Sequence, residues 1–227
     1  MNLLKKIPIR YIGELHDVRL INFTVDISEV KDHVPVQIKV RDFGGRAMIS
    51  MVDVKLRNMH PSFLPSALHF NYRHVAFRLL VEDASHNLGV NKGIYFYRSF
   101  TDKPLIVAGG KLFTDYNLEY AQISEHNGIV EIKQENKIIK YCVENTPLSK
   151  TENVKELYKT IGALDRAYSL LGNTVRVTQI QREKWPIQEI KCKEFRNDFF
   201  ETARLEGVFK VFETIYYQWL PPKSLEL

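Results

Sequence analysis

The stretch from Ala67 to Leu80, ALHFNYRHVAFRLL, limits the fold of this chain more than any other. Successive side chains of a strand point to opposite faces. One face then carries His69, Asn71, Arg73, Val75, Phe77 and Leu79. The other carries Leu68, Phe70, Tyr72, His74, Ala76, Arg78 and Leu80. Both faces are largely apolar, so this strand is expected to be covered on both sides, as in a filled barrel or a layered sheet. His69, Asn71 and Arg73 fall together at one end of the first face. An arginine there must recover the cost of leaving water through a partner. Either Arg73 pairs with a carboxylate of the fold or snorkels to the rim, or it faces a ligand.

Around this strand the chain reads as mainly β. A strand is expected over Val18 to Val25, followed by a short helix that Asp26 and Glu29 would cap and Pro35 would limit. Strands over 36–41 and 46–56 flank DFGG, whose Gly44 and Gly45 suit a hairpin turn. After the loop EDASHNLGVN comes NKGIYFYRSF, with Ile94, Phe96, Arg98 and Phe100 opposite Tyr95, Tyr97 and Ser99. Arg98 among aromatics reads as a cation–π contact that stabilises the fold, or as an anion site. PLIVAGGKLF is expected to be a strand broken at Gly109 and Gly110, with Lys111 on the face of Val107 and Phe113. EYAQIS, GIVEIKQ and KIIKYCVE form a meander, and strands resume in TVRVTQIQREKW, QEIKCKEF and GVFKVFETIYYQWL.

One amphipathic helix interrupts the strands. Val154, Leu157, Tyr158, Ile161, Leu164, Tyr168 and Leu171 recur at helical spacing, and Gly172 supplies a stop. Roughly ten strands result, a number typical of closed or strongly curled sheets.

The order HFNYR, then GIYFYRSF, then AGGKLF with a later tyrosine, resembles the YqjF-like family of bacterial proteins of unassigned function. Asn71 and Arg73 match its Glu-x-Asn-x-Arg strand, with His69 in place of glutamate. Gly93, Ile94, Tyr95 and Phe96 match its second motif, and Lys111 and Tyr116 match its third more loosely. The likeness extends to VDISEVKDHVP near the N-terminus and to WPIQ and YQWLPP near the C-terminus, so it covers nearly the whole chain. It implies a largely antiparallel barrel of the acetoacetate decarboxylase-like type, spanning residues 1–227 as a single domain.

Acetoacetate decarboxylase uses one lysine as a Schiff-base nucleophile and a second to lower the pKa of the first, because only a neutral amine attacks a ketone. On the run that the resemblance aligns, Leu118 and Glu119 stand where that pair belongs. Schiff-base decarboxylation is therefore not expected. Lys111 reads mainly as an ion-pair partner, with a nucleophilic role as the alternative.

Other chemistry finds no motif. There is no His-Glu-x-x-His, no Gly-x-Ser-x-Gly and no phosphate-cradling loop, and His69 and His74 point to opposite faces. No metal or cofactor is expected. Cys142 and Cys192 fit no metal or redox spacing and read as reduced thiols of a cytoplasmic protein. The +5 net charge comes from 32 basic residues spread among 27 acidic ones, which reads as solvated surface without nucleic-acid binding. No run approaches the roughly 20 apolar residues of a membrane span.

Two functions remain. One is a barrel that binds a small carboxylate or carbonyl compound, as an enzyme or a binding protein, with His69, Asn71, Arg73, Tyr95, Arg98, Lys111 and Tyr116 as its ligand-facing set. His69 and Lys111 would be its catalytic candidates. The other is a noncatalytic structural or interaction module whose polar groups satisfy one another. Assembly into a homo-oligomer is compatible with either.

Overall fold

The structure is a computed structural model, and it describes residues 7–83, 91–114, 118–148, 161, 164–183 and 185–225. The strands are β1 Tyr11–Asp26, β2 Ile38–Val40, β3 Arg46–Pro61, β4 Phe70–Asp83, β5 Asn91–Thr101, β6 Leu118–Tyr120, β7 Gln122–His126, β8 Ile129–Gln134 and β9 Lys137–Pro147. They continue with β10 Arg166–Leu171, β11 Thr174–Arg182, β12 Ile187–Asn197, β13 Arg204–Val211, β14 Ile215–Trp219 and β15 Lys223–Ser224. The α-helix α1, Pro104–Phe113, lies between β5 and β6.

β1 organises the whole. Its first half, Tyr11–Leu15, pairs with β14, while Val18–Thr24 pairs with β13. The pairing with β14 closes β1, β3, β4, β5, β10, β11 and β14 into a ring. From β13 the sheet continues through β12, β9, β8 and β7. This second leaf folds back over the outside of the ring, where Glu125 of β7 meets Arg73 of β4. A closed ring has no open edge to protect.

Each face of β3 and β4 therefore packs into its own core. Between the leaves lie Ile21, Phe23, Met51, Val75, Phe77, Leu79, Phe100 and Tyr141. Inside the ring lie Leu15, Val52, Val54, Leu56, Ala76, Leu80, Ile94 and Phe96. Coverage on both sides of the central strand is what its two apolar faces predict.

Several local expectations are corrected. PLIVAGGKLF is a helix, with Pro104 in its first turn, where the missing N–H costs nothing. Gly110 lets that helix approach Leu118, whose side chain would lie 3.2 Å from an added Cβ. β2 pairs with β4 and not with β3; the turn after it meets β3 through the Asp42–Ala47 bridge and the Phe43 N–H to the Arg46 carbonyl, and Gly44 and Gly45 take φ of 72° and 81°. Asp26 does not cap the 3-10 turn Ile27–Glu29; it pairs with Arg46, and Glu29 accepts from the backbone of Glu201 and Thr202. Of the expected amphipathic helix, residues 154–160 lie outside the described residues. Tyr168 and Leu171 belong to β10, and Gly172, at φ 61°, turns the β10–β11 hairpin.

A bulge in β5 between the pairs Phe77–Arg98 and Arg78–Phe96 breaks the expected alternation. Ile94 and Phe96 face into the ring, whereas Tyr95, Tyr97 and Phe100 pack between the leaves. Cys142 and Cys192, distant in sequence, sit on the neighbouring strands β9 and β12 as free thiols. No described helix is long and apolar enough to cross a membrane.

Candidate functional site

The ring encloses a cavity of about 440 Å³. Its wall is built from alternate residues of the strands: Val52, Val54 and Leu56 of β3, Tyr72, His74 and Arg78 of β4, and Ile94 and Phe96 of β5. Tyr11 and Leu15 of β1, Ile180 of β11, and Tyr217 and Trp219 of β14 complete the circle. α1 and the segment around Phe63 and Leu64 frame the mouth. A volume of this size falls within the roughly 300–1,000 Å³ of small-molecule sites.

Polar groups are few, and the cation and the imidazole of the lining both come from β4. Arg78, 6% exposed, donates through Nε to the Ser50 carbonyl at 3.1 Å and through Nη2 to the Ser50 hydroxyl at 2.8 Å. Its guanidinium lies 5.5 Å from the ring centroid of Trp185. Those contacts fix a permanent charge at the inner wall. Asn22 of β1 is the cross-strand neighbour of Ser50, which in turn faces Arg78, so the three form a polar row on one face. The buried Asn22 amide has no hydrogen-bond partner among the described residues.

His74, two repeats of the pleat nearer the mouth, stands 6.3 Å from the Tyr72 ring. Burial, reinforced by the Arg78 charge, pushes its pKa down to about 4. It is therefore neutral near pH 7, with one ring nitrogen to donate and one to accept. Burial pushes the Tyr72 hydroxyl above its usual range, which keeps it protonated.

The residues singled out in the sequence lie elsewhere. Arg73 lies on the opposite face of β4, between the leaves. It donates to Asp53 through Nε at 2.8 Å and Nη2 at 2.5 Å, and to Glu125 through Nη1 at 3.1 Å. Asp53, 2% exposed, also accepts from the Tyr141 hydroxyl. Glu125 bridges on to Arg19 at 2.7 Å, and Arg19 to Asp17 at 3.1 Å. Asp17 is held by Lys55 and Lys210, each at 3.0 Å.

Asn71 is exposed and accepts from the Asn58 N–H at 2.9 Å, pinning a β3 residue held at φ 54°. His69 is exposed and bonds the Ser66 carbonyl at 2.9 Å. Arg98 lies 3.9 Å from Glu119 and 5.9 Å from the Phe199 ring centroid, the aromatic contact the sequence suggested. Tyr95 packs between the leaves, and burial raises its hydroxyl pKa. Lys111 is exposed in the last turn of α1, and Tyr116 lies outside the described residues. None of the six described residues lines the cavity. Among the described residues no group of His, Cys, Asp or Glu is arranged to hold a metal.

Sequence reasoning passed over Tyr72, His74 and Arg78 because they stand one position out of phase with the polar cluster. It also passed over Trp185, Tyr217 and Trp219, although WPIQ and YQWLPP had been picked out as motifs. Gly93 has a structural reason: an added Cβ would lie 2.6 Å from the Tyr168 ring and 2.8 Å from the Arg166 carbonyl, so glycine lets β10 pair there.

The architecture matches solved proteins. An acetoacetate decarboxylase-like enzyme from Sphingomonas wittichii RW1 superposes with a TM-score of 0.64 at 12% identity, covering 98% of this chain and 94% of its own. Acetoacetate decarboxylase from Legionella pneumophila gives 0.64 at 14%, covering 96% and 87%. The enduracididine biosynthesis enzyme MppR, complexed with the condensation product of pyruvate and imidazole 4-carboxaldehyde, gives 0.64 at 11%, covering 96% and 90%. At these identities the likeness shows the fold, an acetoacetate decarboxylase-like barrel. A search of curated protein sequences gave no match. Residues 13–218 match the model of DUF2071, described as an uncharacterized conserved protein, and the chain belongs to that family.

Proposed function

We propose that this protein binds a small organic acid or carbonyl compound inside the ring, on the face of Tyr72, His74 and Arg78, and holds it without a covalent bond. The observation that carries this reading is a largely apolar cavity of about 440 Å³ whose wall, among the described residues, holds one fixed cation and, on the same face of β4, one neutral imidazole. Arg78 attracts a carboxylate or an enolate, and His74 offers a hydrogen bond to the same head group. Among the structural neighbours, MppR is described in complex with pyruvate, a compound with both groups.

Noncovalent binding is supported by what stands near the head group. Leu118, where the resemblance places a catalytic lysine, puts an apolar side chain into the cavity wall, and Glu119 faces Arg98. No lysine lines the cavity among the described residues. Between the leaves, Arg73, Asp53, Tyr141, Glu125 and Arg19 pair with one another, with the buried Arg19 Nε left without a partner among the described residues. The expectation of an internally paired polar core describes that face, and the ligand belongs to the other.

The test is a calorimetric titration of the protein with pyruvate, acetoacetate and hexanoate, repeated on Arg78→Met. Saturable binding of at least one acid, weakened tenfold or more in the variant, supports the reading. Binding that the variant leaves unchanged, or no binding by any of the three, refutes it.

A further inference from the structure

The cavity is elongated and graded in polarity. Along the cavity side of β4, exposure falls from Phe70, at 50%, through Tyr72 and His74 to Arg78, at 6%. These residues span eight positions, roughly 26 Å of strand. The inner end carries the cation, and Trp185 covers it. The adjoining row of Ser50 and the unpartnered Asn22 amide is buried. Phe96 is level with the cation, and from there to the mouth Val54, Leu56 and Trp219 make most of the wall hydrocarbon, interrupted by His74 and Tyr72.

The mouth is more apolar than a protein surface ordinarily is. Phe63, at 68% exposure, Leu105, at 86%, and Phe113 all line the opening while facing solvent. α1 has no fully buried residue, and its Leu105, Ile106 and Phe113 side chains line the opening. Contiguous exposed apolar surface of this kind marks a place where something apolar binds.

Size excludes the smallest acids as a complete fit. At about 30 Å³ per water-sized group, the cavity holds roughly fifteen non-hydrogen atoms, whereas pyruvate has about six. A buried charge at the closed end, a long apolar wall and an apolar rim together describe an amphiphile.

We infer that the ligand class is a chain-bearing monocarboxylate, with its acid group at Arg78 and its hydrocarbon tail running past His74 and Tyr72 toward the rim of Phe63, Phe70, Leu105 and Phe113. This rests on the reading that the cavity binds an acid, and names which acids it prefers. Each methylene drawn from water into the wall strengthens binding by about fourfold, until the tail reaches the mouth.

The experiment is calorimetry of the full chain with straight-chain acids of four, six, eight, ten and twelve carbons, each below its aggregation concentration. The expected result is a Kd that falls several-fold per added carbon and levels off among the longest. A twelve-carbon tail is shorter than the strand from Arg78 to Phe70 and ends near Tyr72, so Tyr72→Ser weakens dodecanoate at least fivefold and weakens hexanoate less, with retained hexanoate binding as the check that the variant is folded. If hexanoate binds and dodecanoate binds no tighter, the chain-bearing class is wrong while the acid site stands. If no acid binds, both fall. Dodecanoate binding that is indifferent to Tyr72→Ser also overturns the inference, because the tail then lies elsewhere.

Discussion

Replacing Asp53 by asparagine should be among the most damaging conservative changes in this protein. The carboxylate is 2% exposed, receives two hydrogen bonds from Arg73 and one from Tyr141, and lies between two packed leaves. Asparagine keeps the shape but removes the charge, so Arg73 stays desolvated with only Glu125 as a counterion. Breaking a buried pair from one side costs about 3–5 kcal/mol, and the surviving Glu125 contact places this case near the lower end. In a chain of this length 1 kcal/mol corresponds to about 2–4 °C, so Tm should fall by roughly 10 °C. Thermal and urea unfolding followed by circular dichroism measure it. The double variant Asp53→Leu with Arg73→Met removes both charges and should recover more than half of the loss. A single variant that melts within about 2 °C of wild type, or a double variant whose losses simply add, would show that the network contributes no coupling.

Gly93→Ala should destabilise by about 1–3 kcal/mol, since its Cβ meets the Arg166 backbone carbonyl as well as a ring; an unchanged urea midpoint would contradict this. His74 has a folded pKa of about 4 against an ordinary 6.5, so the unfolded chain takes up the proton first. Stability should therefore decline as pH falls from about 6.5 to about 4. His74→Gln should lose that decline; a variant with an unaltered pH profile would refute the assignment. For Asp17, burial opposes ionisation, but the Arg19 charge and hydrogen bonds from Lys55 and Lys210 outweigh it and hold the carboxyl well below its usual range. Its stabilisation is present above pH of about 4 and is lost on further acidification, so Asp17→Asn should flatten the acid limb of the same profile. Borohydride added with acetoacetate or pyruvate should trap no adduct by mass spectrometry, whereas a lysine adduct would establish imine chemistry.

Most strands were legible because their alternation is strong. In β3 and β4 both faces are apolar, and that alone forecast two covered sides. α1 was not legible: Leu105, Ile106 and Val107 suit a strand, and without a polar stripe the helical period does not show. Pro104 at its start was the usable signal. The choice of face also misled. His69, Asn71 and Arg73 look like a site because they cluster, yet Asp53 and Asn58 reach Arg73 and Asn71 from the neighbouring strand β3, and only the folding back of β7 brings Glu125 to Arg73. Arg78 reads as one charge on an apolar face, and alternation alone does not distinguish a cavity wall from a packed core. The β5 bulge is invisible to alternation, which assumes every residue is paired.

The position of the imidazole inside the ring makes it a reporter on the ligand itself. The measurement is the His74 pKa, followed by its ring proton resonances in the free protein and with saturating hexanoate. The account predicts a free value of about 4, rising when a carboxylate offsets the Arg78 charge beside it. A free value near the ordinary 6.5, or one that hexanoate saturates without moving, would contradict it.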